Sequence, residues 1–245
     1  MTLAPIWHDV ECGYYAADLE VWEELTHEGA TVLDLGCGNG RVAMHLARRG
    51  RQVTGLDRNA QFLEVLDQRA ARRGLAVETV CADAREFDLG VEFDAVFAPM
   101  QLVQLFEGAT ERGAMLARAA RHLRPGGVFA ATLMDLEGEL VGDEYGPPPP
   151  DVREVDRWVY SSLSVGVHLV ERGRAVRIDR LRTAVSPEGK QSTSMDEVRL
   201  ELVSPAELEQ EMEAAGLEVQ ARRIIPPTDE HVGSVAVIAA RPEVS

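Results

Sequence analysis

The residues with the most chemical content fall early in the chain. Asp34-Leu35-Gly36-Cys37-Gly38-Asn39-Gly40 follows the short apolar run 31–35 and precedes a stretch with apolar residues at 42, 43, 46 and 47. Glycines on alternate positions let the backbone turn sharply and let a ligand approach it closely. A ligand there lies at a strand's carboxyl end, beside a helix N-terminus. Asp57 stands 21 residues beyond Gly36, at the end of the next apolar run, where a carboxylate can accept both hydroxyls of a ribose. Asp83 follows a third run, where a side chain can receive the exocyclic amine of an adenine. A glycine loop by itself can be no more than a strand-to-helix turn. The loop and two acids in this order are far more specific, and point to a nucleoside.

The remaining composition removes other chemistries. Lys190 is the one lysine among 245 residues and sits in a turn-like Ser186-Pro187-Glu188-Gly189-Lys190. Schiff-base catalysis, a Ser-Lys dyad, a Tyr-x-x-x-Lys reductase pair and a phosphate-cradling lysine therefore all lack their key residue. Cys12, Cys37 and Cys81 are odd in number, without a CxxC pair or ligand spacing to histidine. That argues for a reducing compartment and against a zinc site, and no metal is expected. The first residues lack the basic-then-apolar order of a signal peptide, and no apolar stretch is long enough to span a bilayer. The expected location is the cytoplasm. A net charge of −16 repels nucleic acid and anionic membranes. Arg172, Arg174, Arg177, Arg180 and Arg182 form the only dense basic run, and read as solvated strand faces.

The elements that must position these groups follow from periodicity. Apolar runs at 31–35, 53–56, 77–81, 93–98 and 128–133 read as strands, separated by helical spacing at 41–49, after Asn59 and after Thr110. Arg124-Pro125-Gly126-Gly127 reads as the stop of the third helix. Strands alternating with helices imply a parallel sheet covered on both faces. Residues 136–150, with four consecutive prolines, read as a loop or lid. From about 155 to 203 the pattern is that of two or three antiparallel strands, with Val198, Leu200 and Leu202 alternating with charged residues. Ser204-Pro205-Ala206-Glu207 is a capping box that opens a last helix, followed by strands at 217–225 and 233–240.

Here the chain resembles a known family. VLDLGCGNG, VTGLDRN, CADARE, FDAVFAPMQLVQLF and LRPGGVFAATLMD look like the five successive motifs of class I S-adenosylmethionine-dependent methyltransferases. The resemblance runs through about 30–135 and resumes at 204–240. It implies a doubly wound α/β, Rossmann-like fold. The sheet would have seven strands, mostly parallel with one antiparallel, and would carry an antiparallel β insertion. One domain would span 1–245, with the lid and insertion at 136–203 inside it. By this resemblance Gly36, Gly38 and Gly40 line S-adenosyl-L-methionine, with Cys37 between them and Pro99 at the fourth strand's end. Asp34 orients the methionine end, Asp57 takes the ribose, Asp83 and Ala84 flank the adenine, and Arg58 lies over its face. The rival nucleotide, NAD, calls for G-x-G-x-x-G, and here Gly40 comes one place early with Arg41 next.

The fourth strand's end separates branches of the family. Ala98-Pro99-Met100-Gln101 is not the Asn/Asp-Pro-Pro-aromatic stretch of base aminomethylases, and it offers no aspartate for a catechol-site metal. No cysteine follows a proline, as cytosine C5 enzymes need, and no paired-glutamate loop of an arginine methylase is found. The remaining branch is metal-free and acts on nitrogen or oxygen of a small molecule. Sugar-amine and glycine N-methyltransferases carry an insert at this place. Acceptor-side catalytic candidates are Tyr14, Gln104 and His231, with Gln101, Asp135, Trp7, His8 and Tyr15 nearby in the reading. His168 reads as a strand-face residue. Trp158 and Tyr160 are expected to help line a cover. A different class stays open, a non-catalytic module of the same fold that binds a partner, as does a homodimer built on the insert.

Overall fold

The protein is described by a computed structural model, of which residues 3–134, 149–228 and 231–243 are described here. Helices α1 (Ala4–Cys12) and α2 (Leu19–Glu24) precede an alternating region. It comprises β1 (Thr31–Leu35), α3 (Arg41–Arg48), β2 (Gln52–Asp57), α4 (Ala60–Arg72), β3 (Val77–Cys81), β4 (Phe93–Ala98), α5 (Gly108–Arg121) and β5 (Leu123–Met134). After β5 come β6 (Asp151–Val155), β7 (Trp158–Val170), β8 (Ala175–Val185) and β9 (Gln191–Glu201), then α6 (Pro205–Ala214), β10 (Glu218–Ile225) and β11 (Ser234–Ala240).

Seven strands form one sheet in the order β10-β11-β5-β4-β1-β2-β3. β11 runs antiparallel to both β5 and β10, and the other pairs are parallel. The period of two along each strand feeds two cores. Leu33 of β1 and Val96 of β4 face a cluster with Met115, Phe129, Leu208 and Met212. Their neighbours Val32 and Phe97 face the other, with Trp22, Leu46, Leu66 and Ile238. A strand buried on both faces reads as a nearly continuous apolar run, and Thr31–Leu35 and Phe93–Ala98, each broken only by one aspartate and, in the first, a threonine, are legible as strands for that reason. The order of connection reverses between β1 and β4. A crevice opens at the carboxyl ends of strands at such a switch point.

Several local expectations are corrected. Thr110 does not cap α5. The helix begins at Gly108 after Glu107, and the carboxylate of Glu201, at the end of β9, accepts the Gly108 N–H. A tertiary partner thus replaces a local cap. Arg124-Pro125-Gly126-Gly127 does not end in a plain turn but lies within β5, where the register with β4 shifts. Gly126 N–H donates to Arg241 O, and Arg241 N–H returns to Gly127 O, both at 2.9 Å. Between 155 and 203 the insert has three antiparallel strands, β7, β8 and β9, and β6 just ahead of them pairs with β7 to make a four-stranded sheet in the order β6-β7-β8-β9. Asn59 caps α4 through Gln61 N, and Ser204 with Glu207 forms the expected capping box. Asp135 and most of the segment read as a lid lie outside the described residues.

Candidate active site

The glycine loop is shaped from both sides. Gly36, Gly38 and Gly40 all have positive φ, at 62°, 52° and 84°. Gly38 shows why glycine is needed: a β-carbon there would lie 2.4 Å from His8 Nε2. Behind the loop, Cys37 N–H donates to Leu56 O at 3.0 Å, which ties it to β2. Asp57 closes β2 and accepts Gly38 N–H at 2.9 Å on Oδ2 and Asn59 N–H at 2.8 Å on Oδ1. Each oxygen keeps a second lone pair.

A cleft of about 850 Å³ lies along this sheet edge. Of the cofactor candidates, Asp34, Gly36, Cys37, Asp57, Arg58, Asp83, Ala84 and Pro99 line it. Gly38 and Gly40 are not among its lining residues. His8 lies against Gly38, and Gly40 packs on Leu66, whose Cδ1 would be 2.1 Å from an added β-carbon. Gly40 opens α3 in the left-handed region.

Asp34 is 1% exposed. Its Oδ2 accepts Ala43 N–H at 3.0 Å, while Oδ1 is buried with no partner. Burial pushes its carboxyl up to about 7, against the opposing charge of Arg41 and the Ala43 bond. Asp83 is the opposite case. Arg85 grips it through Nε, Nη2 and its own backbone N–H, and holds it down to about 2. Arg85 also reaches Glu111 at 2.6 Å. Burial pushes the Cys12 thiol up to about 11 and Cys37 well above its usual range, so neither cysteine is an activated nucleophile.

The acceptor candidates separate. His231 lines the cleft and tilts against the Tyr15 ring, with centroids 4.9 Å apart. Tyr15 also lines it and is buried beneath the Arg41 guanidinium. Tyr14 does not: it is 64% exposed and packs under Arg153. Gln104 is also corrected. It is 1% exposed, its amide donates to Glu201 O at 3.2 Å, and its oxygen accepts Met134 N–H at 2.7 Å. Both ends are committed to joining β5 and β9, so it positions the insert. Gln101 lines the cleft with a φ of 53°. Trp158 and Tyr160 stack on each other, and Tyr160 meets Trp7 edge-on at 5.3 Å. His168 pairs with Asp179 on the insert.

The reading of the basic run as solvated faces is corrected for two members. Arg180 and Arg182 line the cleft with Ile178, on the even-numbered face of β8. Arg182 meets Glu11 of α1 and Asp196 of β9, and Arg180 bonds Ser162 and Asp151. The alternation Val176, Ile178, Arg180, Arg182, Ala184 marks that face in the sequence. Helix α1 was also missed as an element. Its signal was Leu3, Ile6, Trp7 and Val10 at helical spacing, with Pro5 in the first turn. It is a clamp. Asn39 of the glycine loop donates to Pro5 O and to Asp9, Arg69 of α4 grips both Asp9 oxygens, and Arg153 Nη1 donates to Asp9 O. Burial would raise the Asp9 carboxyl, but the bonds from Arg69 and Asn39 outweigh it and hold it below the usual range.

The profile of a methyltransferase domain matches residues 32–127. Over residues 32–127 the chain is similar to a methyltransferase domain. The match covers β1 to the start of β5, the part that carries the glycine loop, Asp57 and Asp83. Among curated relatives, a ubiquinone biosynthesis O-methyltransferase from Bradyrhizobium sp. (strain ORS 278) is 30% identical over 122 residues, 48% of this chain and 47% of that protein. A cypemycin N-terminal methyltransferase from Streptomyces sp is 37% identical over 100 residues, 41% of this chain and 40% of that protein. The chain spans about half the length of the curated relatives it matches. Beyond the methyltransferase domain the likeness is one of fold. The solved sugar N-methyltransferase KedS8 from Streptoalloteichus sp ATCC 53650 superposes with a TM-score of 0.74 at 21% identity, over 99% of this chain and 94% of that one.

Proposed function

We propose that this chain is an enzyme that moves a methyl group from S-adenosyl-L-methionine to a nitrogen or oxygen of a small molecule, without a metal. The observation that carries the reading is the composition of one cleft. Its walls hold Gly36 and Cys37 of the glycine loop, Asp57 with a free lone pair on each oxygen, and the buried Asp34 Oδ1 that has no partner. These groups fit the donor: Asp34 suits its amino group, Asp57 its ribose hydroxyls, and Ala84 and Arg58 the adenine. Asp83 keeps a lone pair on Oδ2 for the adenine amine beside its bonds to Arg85.

The donor supplies a methyl group already activated on a sulfonium, so the protein's part is chiefly alignment. The acceptor end is walled by Trp7, Tyr15, Met100, Val198, Leu200, Arg180, Arg182 and His231. The apolar members exclude water, which strengthens the fixed charges around the transfer. His231, which lines the cleft beside Tyr15, is the group we assign to take the proton that an amine or hydroxyl loses. Glu11, Asp196 and the two arginines orient polar groups of the acceptor. The net charge of −16 disfavours a nucleic-acid acceptor. No described helix is long and apolar enough to cross a membrane.

Calorimetric titration tests the reading. S-adenosylmethionine and S-adenosylhomocysteine should bind and NAD should not. Transfer of labelled methyl to amine or hydroxyl acceptors should survive EDTA. A non-catalytic module would bind no donor or release no labelled product.

A further inference from the structure

Asp34, on the cleft wall, is a buried carboxylate that a single hydrogen bond serves. It lies on β1 between Gly55 of β2 and Phe97 of β4, neither of which can donate from a side chain. The loop contributes Cys37, whose thiol donates to Gly38 O rather than to Asp34. α3 contributes Arg41, but that guanidinium is spent on Asp18, which it meets through both Nη1 and Nη2. Asp18 itself and Asp57 of β2 both act on Asp34 as like charges. One backbone N–H therefore serves the carboxyl, and Oδ1 remains buried in the cleft wall without a partner.

From this geometry we infer that Asp34 is protonated in the free protein and that the amino-acid end of the donor enters by expelling that proton to solvent. The inference rests on the proposed donor site and adds a proton to its binding equilibrium. An ammonium brought to Oδ1 supplies the positive partner the pocket lacks, so the O–H bond breaks, the carboxylate pairs with the ammonium, and the proton leaves to buffer. Binding is then tighter at higher pH. The position of the carboxyl near 7 puts this linkage in the range of ordinary cellular pH.

The test compares two nucleosides in buffers of different ionisation enthalpy. S-adenosylhomocysteine carries the amino-acid end, and 5′-methylthioadenosine lacks it. Between pH 6 and 7 the free ligand's amine keeps its own proton, since such groups titrate near about 8. S-adenosylhomocysteine should release about 0.9 proton at pH 6 and about 0.5 at pH 7, and bind about fivefold tighter at pH 7 than at pH 6. 5′-methylthioadenosine should release none. Asp34→Asn should bind 5′-methylthioadenosine within about twofold of the parent, a shift of roughly 0.4 kcal/mol, and take S-adenosylhomocysteine weakly, without proton release. S-adenosylhomocysteine binding to the parent with no proton release overturns the inference, as does release that persists in Asp34→Asn. If the variant does not fold, the difference between the two nucleosides on the parent protein decides. Failure of both nucleosides to bind overturns the donor site itself, a distinct result.

Discussion

Arg182 of β8 donates to both oxygens of Glu11 on α1, through Nε and Nη2, each at 2.8 Å. This fork joins the helix that packs on the glycine loop to the sheet whose strands β8 and β9 line the cleft. Glu11→Gln removes the charge and half of the fork. The variant should lose about 1.5–3 kcal/mol of stability in urea, the range for bonds to charged groups, and should release S-adenosylhomocysteine faster in stopped flow.

Acid should open the same clamp. The carboxyls of Asp9 and Glu11 are both held below their usual range, where bonds from Arg69 and Arg182 overcome the cost of burial. A depressed carboxyl stabilises the fold at pH above its unfolded value, about 4, and that stability drains as pH falls through the folded value. Trp7 packs on Tyr160 from the same helix. Its fluorescence should change as pH falls below about 4, before the global transition followed by far-UV circular dichroism, and Asp9→Asn should remove part of that early change.

Gly38→Val meets two obstacles. Its φ of 52° is poor for a branched residue, and the added atoms run into His8. The variant should lose about 1–3 kcal/mol of stability and all measurable S-adenosylhomocysteine binding in calorimetry, while still folding cooperatively.

Asp57 and Asp83 should differ in what their loss does. Asp57→Ala strips Gly38 N and Asn59 N of their acceptor as well as the ribose, and should weaken S-adenosylhomocysteine by about 1.5–3 kcal/mol. Asp83→Ala removes one amine contact and frees Arg85 to turn to Glu111, so a smaller loss is expected. Titration of both variants under one buffer gives the comparison.

Arg112 holds the insert's end to the core. It is buried, with Nε and Nη2 on Glu211 of α6 and Nη1 on Glu201 of β9. Arg112→Ala leaves two half-buried carboxylates without their cation and should cost about 1.5–3 kcal/mol in denaturant unfolding, the range for bonds to charged groups. Removing Glu211 as well should restore part of that loss.

What was legible follows the range of the interactions. Strands such as Thr31–Leu35 and Val77–Cys81 and the cap at Ser204 are local patterns, and they stand in the structure as read. The start of α5 was misplaced because its acceptor, Glu201, comes from 93 residues away. Gln104 resembled an acceptor contact because it follows β4, and only the packing of β9 shows both its ends engaged. Arg180 and Arg182 looked like solvated charges for the same reason. Their partners Glu11 and Asp151 lie on distant elements, and no spacing rule pairs them.

The two sheets also differ in when they can form. β6, β7, β8 and β9 pair in sequence order, so their contacts are close along the chain. β11 instead lies between β5 and β10, and bonds back to a strand made long before it. Local pairings assemble faster than distant ones. On a ribosome, the meander can take shape while the larger sheet still waits for β11. The four-stranded meander would thus exist before the seven-stranded sheet is complete, and a nascent chain stalled ahead of Ser234 would show its insert to chaperones first.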